Sequence, residues 1–143
     1  MDNQAFWQKI AAIEKMLPAV IQRLPEVAKV EGLRFISDNF KAQGFEKGPG
    51  QIEKWKRKAK GKKPTLIGEK RGGALRRSWQ GRAGQAQTIF SSNMPYAGVH
   101  NEGLHAGRPP GFIMPERRMI GPSDALNARI ERKLDDMVDE TLK

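Results

Sequence analysis

The chain has 143 residues, no cysteine, two histidines and a net charge of +10. This length suits one domain with a modest core, and we expect a single domain over residues 1–143. The lack of cysteine excludes disulfides, thiolate nucleophiles and thiolate zinc sites, and two histidines argue against a metal centre, so we expect no metal and no cofactor. No run approaches the roughly 18 apolar residues of a membrane-spanning helix, and we expect no membrane contact and synthesis in the cytosol.

The basic residues are concentrated in one part of the chain. Residues 47–82 contain 13 of the 26 Lys and Arg and only two acidic residues, Glu53 and Glu69, a balance of +11. The remainder, 13 basic against 14 acidic residues, is nearly neutral. A block of like charge on an otherwise neutral chain is typical of a segment that binds a partner.

Two amphipathic helices are predicted on the N-terminal side. Pro18 should interrupt the first helix, because a proline inside a helix removes a donor and clashes with the preceding turn. Pro25 suits the first turn of a second helix that runs to about Gln43, with Gly44 as its stop. We interpret residues 1–24 as a helical extension of the domain. The apolar stripes are Phe6, Ile10, Ile13 and Leu17 in the first helix, and Val27, Val30, Leu33, Ile36 and Phe40 in the second.

Periodicity is lost between Phe45 and Gly73, where glycine and lysine are frequent. We predict a long mobile basic arm over residues 46–72. The apolar Leu66 and Ile67 are exceptions that could contact the body of the domain or a neighbouring subunit. The arm residues assigned to interaction are Lys54, Trp55, Lys56, Arg57, Lys58, Lys60, Lys62 and Lys63.

A β-hairpin is predicted after this arm. Residues 75–80 and 85–91 are extended candidates, and a four-residue loop with Gly at both ends separates them. Residues 112–114 could form a short third strand. Long helices on both sides of a small antiparallel sheet make this an α+β chain.

The segment "PYAGVHNEG", residues 95–103, contains the only tyrosine and one of the two histidines. Asn93 can cap, and Pro95 can begin, a short helix that Gly103 ends, so Tyr96 and His100 project from one side of it. The pair could serve acid–base chemistry, but Glu102 is the only local acid and no nucleophile lies in a suitable setting. We therefore favour a structural turn and no enzyme. Its residues are Tyr96, Ala97, His100 and Gly103.

A closing helix is predicted from about Ser123 to Thr141. Ser123 is a good N-cap, and Asp124 suits the positive end of the helix dipole. Apolar residues follow at near-helical spacing, namely Leu126, Ile130, Leu134, Met137 and Leu142.

Three groups of residues, in this order between amphipathic helices, resemble the phage virion morphogenesis or tail completion proteins, which act at the neck or tail end of tailed bacteriophages. The resemblance spans about residues 30–143. The first group is Trp55, Leu66, Ile67, Gly73, Leu75, Arg76 and Ser78; the second is Tyr96, Ala97, His100 and Gly103; the third is Pro115, Arg117, Met119, Ile120, Gly121 and Ser123.

This resemblance implies a structural virion assembly protein of a tailed bacteriophage or prophage, without catalysis. It would act in tail completion or as a head–tail connector, form a homo-oligomer such as a ring, and contact neighbouring neck or tail proteins. It would be found in the virion and, during assembly, in the host cytoplasm.

Self-association needs a contact surface, and the hairpin and the "MPERRMIGPS" segment are the candidates because their apolar residues lie on short elements. The acidic end of the last helix offers counter-charge to the basic arm of a neighbour. The candidate interface residues are Trp79, Phe112, Met114, Arg117, Arg118, Met119 and Ile120.

An alternative function is a nucleic-acid-binding module. Residues 47–82 could contact phosphates, and Trp55 could stack on a base, giving non-specific contact with DNA. No recognition helix or aromatic sheet motif accompanies these residues.

Overall fold

The computed structural model describes residues 2–68 and 72–142 and has the predicted α+β fold. Long helices lie on the N- and C-terminal sides, and the described strands form three antiparallel sheets of two strands each. In chain order the elements are α1 (Asn3–Ala42), β1 (Gly44–Gly48), β2 (Gln51–Lys54), α2 (Ala74–Ser78), β3 (Trp79–Gly84), β4 (Gln87–Ser92), α3 (Ala97–Glu102), β5 (His105–Ala106), β6 (Phe112–Ile113) and α4 (Asp124–Leu142).

Helix α1 is continuous, so the predicted interruption at Pro18 is wrong. The Asp2 carboxylate accepts a hydrogen bond from the Ala5 amide at 2.7 Å and caps the first turn. Pro18 and Pro25 both lie inside the helix. Pro25 is buried, and its carbonyl accepts a 2.6 Å hydrogen bond from the Thr88 hydroxyl of β4. Packing on other elements therefore outweighs the proline cost of roughly 3 kcal/mol.

A hairpin lies where the sequence predicted an irregular arm. β1 pairs with β2, with Gly44 opposite Lys54 and Phe45 opposite Glu53. Every residue of β2 is exposed, so the strand has no apolar alternation for a sequence pattern to detect. The expectation of an irregular loop therefore fails up to Lys54. Residues 55–68 have no helix or strand, residues 69–71 lie outside the described part, and mobility of the 46–72 arm stays a prediction.

The second hairpin is present with a different boundary. β3 pairs with β4 from Trp79 opposite Ser92 to Gly84 opposite Gln87, so the connection has two residues rather than four. Leu75 lies in the short helix α2 and not in a strand. The short third strand is β6, which pairs with β5 in a separate sheet instead of extending the hairpin.

Helix α1 divides the core into two clusters. On one side, Ile36 and Phe40 pack with residues of α2, α3 and the connecting segments, and Phe40 meets the Trp55 ring edge-on at 5.3 Å. On the other, Phe35 packs with Phe45. The first cluster is completed by Leu75, Ala97 and Met119, and the second by Ala125 and Leu126.

Helix α4 begins as predicted. The Ser123 hydroxyl accepts from the Leu126 amide at 3.1 Å and donates to the Glu46 carbonyl at 2.6 Å, so one side chain caps α4 and attaches it to β1. Arg129 then pairs with Asp38 of α1 at 2.8 Å. In the described residues, no helix combines the length and apolar character needed to cross a membrane.

Candidate functional site

The fold brings members of all three groups of resembling residues together around one cleft of about 350 Å³. The first group contributes Leu66, Ile67 and Leu75, the second Tyr96 and His100, and the third Arg117. The other lining residues are Lys58, Lys60, Thr65, Gly68 and Ala74.

Helix α3 supports one wall of this cleft. It begins at Ala97 rather than Pro95 and ends at Gly103, whose φ of 68° is a conformation that glycine adopts at little cost. A Cβ at Gly103 would lie 3.1 Å from the backbone nitrogen of Glu116. Gly103 therefore permits both the end of the helix and the close approach of the chain before Arg117.

The buried face of α3 carries Ala97 and Asn101, not Tyr96. Tyr96 is 44% exposed and meets the His100 ring edge-on at 6.0 Å. The predicted turn residues are thus all at α3, but the tyrosine faces outward and is available to a partner.

Asn101 is the main hydrogen-bonding residue of the site. Its Oδ1 accepts from the amides of Met119 at 2.7 Å and Ile120 at 3.1 Å, and its Nδ2 donates to the Ile120 carbonyl at 3.1 Å. Asn101 therefore supplies hydrogen-bond partners to buried backbone groups that lie outside any helix or strand. Sequence reasoning missed Asn101, although an asparagine inside so short a helix was a usable signal because asparagine is a poor helix former.

Side chains from other elements fix the same segment from the opposite side. Asn39 Nδ2 donates to the Met119 carbonyl at 3.0 Å, and Trp55 Nε1 donates to the Arg118 carbonyl at 2.9 Å. Arg117 donates from Nε to the Lys56 carbonyl at 2.8 Å. Residues 117–120 are therefore held by α1, α3 and the chain that follows β2.

Several predicted interface residues are covered within the subunit. Met119 is fully buried and Arg117 is 7% exposed, so neither is on the free surface and both make their contacts within the subunit. The subunit interface stays a prediction. Arg118 pairs with Glu102 and Glu116. Met114, Ile120 and Trp79 are half-buried, whereas Phe112 is 54% exposed on β6.

The basic arm residues are divided between core and surface. Trp55 is buried, and Lys54 donates from Nζ to the Ala42 carbonyl at 2.6 Å. The Gln43 side chain donates to the Thr65 carbonyl at 3.1 Å, which holds the far end of the segment against α1. The remaining arm lysines and arginine lie outside the core: Lys58 is half-buried, and Lys56, Arg57, Lys60, Lys62 and Lys63 are exposed.

Cations line the cleft, and the environment of its histidine favours the neutral imidazole. Burial, and secondarily the Arg117 charge, lower the pKa of His100, and its buried Nδ1 has no hydrogen-bond partner. Burial also lowers the pKa of Arg117. In the described residues, no group of three or more His, Asp or Glu is placed to hold a metal ion. Chemically, the side chains of the site fix the backbone of residues 117–120, and the cations that line the cleft could donate hydrogen bonds to an anion.

Comparison with known proteins agrees with this arrangement. The model of the phage virion morphogenesis family matches residues 33–139, which include all of the cleft. No curated protein and no solved structure gave a match. A chain matched over most of its length, with the three groups of residues joined at one site, belongs to the phage virion morphogenesis family and has a structural or assembly role in phage virions.

Proposed function

We propose that this protein completes the tail end or the head–tail neck of a tailed bacteriophage particle and acts there as a homo-oligomeric ring subunit without catalysis. The carrying observation is that three buried side chains from separate parts of the chain, Asn39, Trp55 and Asn101, bind the backbone of residues 118–119. Such bonds hold the chain beside the cleft in one conformation, and a joining protein needs a rigid framework of this kind.

The catalytic alternative has less support at the same residues. His100 is adjacent to Arg117 and Tyr96, and no carboxylate is among the lining residues of the described cleft. A histidine general base is usually oriented by a carboxylate or carbonyl at its second nitrogen, whereas Nδ1 here is without a partner.

A deletion in the phage genome tests the proposal. Removal of the gene from a propagating phage should give full heads and separate or malformed tails by electron microscopy, and expression of the wild-type protein in trans should restore infectious particles. His100→Gln should restore them as well, because a neutral amide fits the same volume without the chemistry of an imidazole.

Two results would count against it. Normal joined virions from the deletion strain would remove the tail or neck role. Rescue by the wild type but none by His100→Gln, in a variant that folds and is incorporated, would instead favour a chemical function.

Binding to DNA is the second candidate, favoured by the exposed side chains of Lys56, Arg57, Lys60 and Lys62 and by the exposed Tyr96, which lines the cleft together with Lys60. A DNA binder should lose about 0.9 log units of affinity per phosphate contacted for each decade of salt. A gel-shift titration from 50 to 500 mM NaCl measures this slope, and the quadruple change of these cations to Gln should reduce it. Absence of a shift at low salt would remove this candidate.

A further inference from the structure

The cleft beside α3 has the chemistry of a carboxylate-binding site. The cations Lys60 and Arg117 line it, and no acidic residue does among the described residues. Apolar Leu66 and Leu75 complete the wall. A volume of about 350 Å³ accepts a few side chains and is too small for a whole helix to enter.

Arg117 is the strongest indication of an anion. It is 7% exposed, and its guanidinium donates from Nε to the Lys56 carbonyl, but it forms no ion pair with any carboxylate in residues 2–68 and 72–142. A buried cation without a counter-ion is unfavourable, and a carboxylate beside it would be held by charge-assisted hydrogen bonds. His100 Nδ1, which has no partner, lies at the same cleft.

Four carboxylates that could bind in the cleft lie near the C-terminal end of α4. Asp135, Asp136, Asp139 and Glu140 are exposed, and none of them pairs with a cation in the described part of the chain. Asp135, Asp139 and Leu142 are four and three residues apart and therefore share one helical face. This face presents two carboxylates and one apolar side chain, which matches the cations and the leucines of the cleft.

The same molecule cannot supply this face to its own cleft. Arg129 of α4 lies beside Asp38 of α1, and Lys133 shares a groove with Arg23 and Val27, so α4 runs toward the N-terminal end of α1. The cleft is attached to the opposite end, through the hydrogen bond from Gln43 to Thr65. Val27, beside α4, and Gln43, beside the cleft, are 16 positions apart on α1. At a rise of 1.5 Å per residue, these two points of the helix are about 24 Å apart.

We propose that the cleft lined by Arg117, His100 and Tyr96 receives the Asp135–Asp139–Leu142 face of α4 from a second copy of this chain. This inference rests on the proposed self-association and names its contact. Each copy then donates one helix end and fills one cleft, a heterologous contact that repeats around a ring.

Site-specific cross-linking tests the contact directly. Tyr96, exposed at the cleft, is replaced by the photo-reactive p-benzoylphenylalanine in full-length protein, and equal amounts of unlabelled and ¹⁵N-labelled protein are mixed before irradiation. Trypsin should release residues 134–143 as one peptide, because Lys133 precedes it. We expect cross-links between position 96 of one copy and this peptide of another copy, with one partner unlabelled and the other ¹⁵N-labelled. An oligomeric sample whose cross-links map elsewhere overturns the contact and leaves the proposed function standing.

A pair of matched variants gives an independent measurement by sedimentation at 50 mM NaCl. Asp135→Asn with Asp139→Asn should weaken association about tenfold or more, because two charge-assisted bonds are lost. Asp136→Asn with Glu140→Gln removes the same charge from the neighbouring face and should weaken it by less than about threefold. Equal effects of the two pairs, or a wild type that stays monomeric, would overturn the proposal.

A mixing experiment separates donor from acceptor. Lys60→Gln with Arg117→Gln removes charge from the cleft, and circular dichroism checks that this variant folds. At a concentration where the wild type associates, each variant alone should associate at least about tenfold more weakly, but their mixture should form a 1:1 dimer through the one intact cleft and the one intact helix end. A mixture that remains monomeric contradicts the assignment.

Discussion

At the scale of single residues, asparagine side chains hold the site together, rather than the tyrosine and histidine that stand out in the sequence. Asn101 and Asn39 bind both the amide and the carbonyl groups of residues 119–120. An amide is suited to this because it carries a donor and an acceptor in one planar group. Tyr96 and His100 instead line the cleft, where a partner can reach them.

Replacement of Asn101 by Ala should destabilise the domain strongly. The Met119 amide would lose its bond inside the core, and one buried unsatisfied donor costs about 1–3 kcal/mol. With the second amide at Ile120 also affected, we expect a loss of at least about 2 kcal/mol in the free energy of unfolding, measured in urea. Asn127→Ala, on the exposed face of α4, is the control and should change it by about 0.5 kcal/mol or less. Equal effects of the two changes would contradict the assignment of Asn101 as the residue that holds residues 119–120.

Acidification should weaken the fold through His100. Because its pKa in the folded state is below the ordinary value of 6.5, the unfolded chain binds the proton more tightly. The stability is complete above pH 6.5 and decreases as the pH falls through 6.5 toward the lower folded value. Urea unfolding at pH 7.5 and 5.5 measures this decrease, and His100→Gln should reduce it. His105→Gln keeps His100 and should retain that contribution; a slope unchanged by His100→Gln would refute the assignment.

At the scale of elements, the sequence predicted those whose signals are local. Ser123 caps α4 and Gly103 ends α3, as their residue types indicated. The sequence did not reveal that α1 continues through its prolines, because the compensating contacts come from Thr88, 63 residues away. β1 and β2 were missed since their polar exposed residues do not alternate.

The continuous form of α1 can be tested at Pro18, which is exposed inside the helix. Pro18→Ala should restore a backbone donor and remove the ring clash, stabilising the protein by up to about 3 kcal/mol. Thermal unfolding followed by circular dichroism measures this change. Ala19→Gly, one residue along, should destabilise by about 1 kcal/mol if that turn is helical. No effect from either substitution would indicate that the helix ends before residue 18.

At the scale of the whole molecule, the distribution of charge along the chain does not indicate which residues are buried. The basic excess of residues 47–82 predicted an arm separate from the body, yet Trp55 and Thr65 from the same stretch are buried. Composition alone did not show this because two buried residues among many lysines hardly change the average composition of the segment. The cleft as a whole was likewise beyond sequence reasoning, since its residues are separated by up to 59 positions, from Lys58 to Arg117. The order of the motifs nevertheless indicated the family correctly.

The boundary of the N-terminal extension gives the final prediction. We interpreted residues 1–24 as an extension, but Met16 and Val20 are 9% and 5% exposed, whereas no residue from 2 to 15 is buried. Deletion of residues 1–15 should therefore leave the urea midpoint and the cooperativity of unfolding nearly unchanged. Deletion of residues 1–24 exposes the partners of two buried side chains, each worth about 1.5–3 kcal/mol, and should lower the midpoint clearly. If both deletions lower it equally, the first turns of α1 are part of the folded unit and the boundary lies before residue 16.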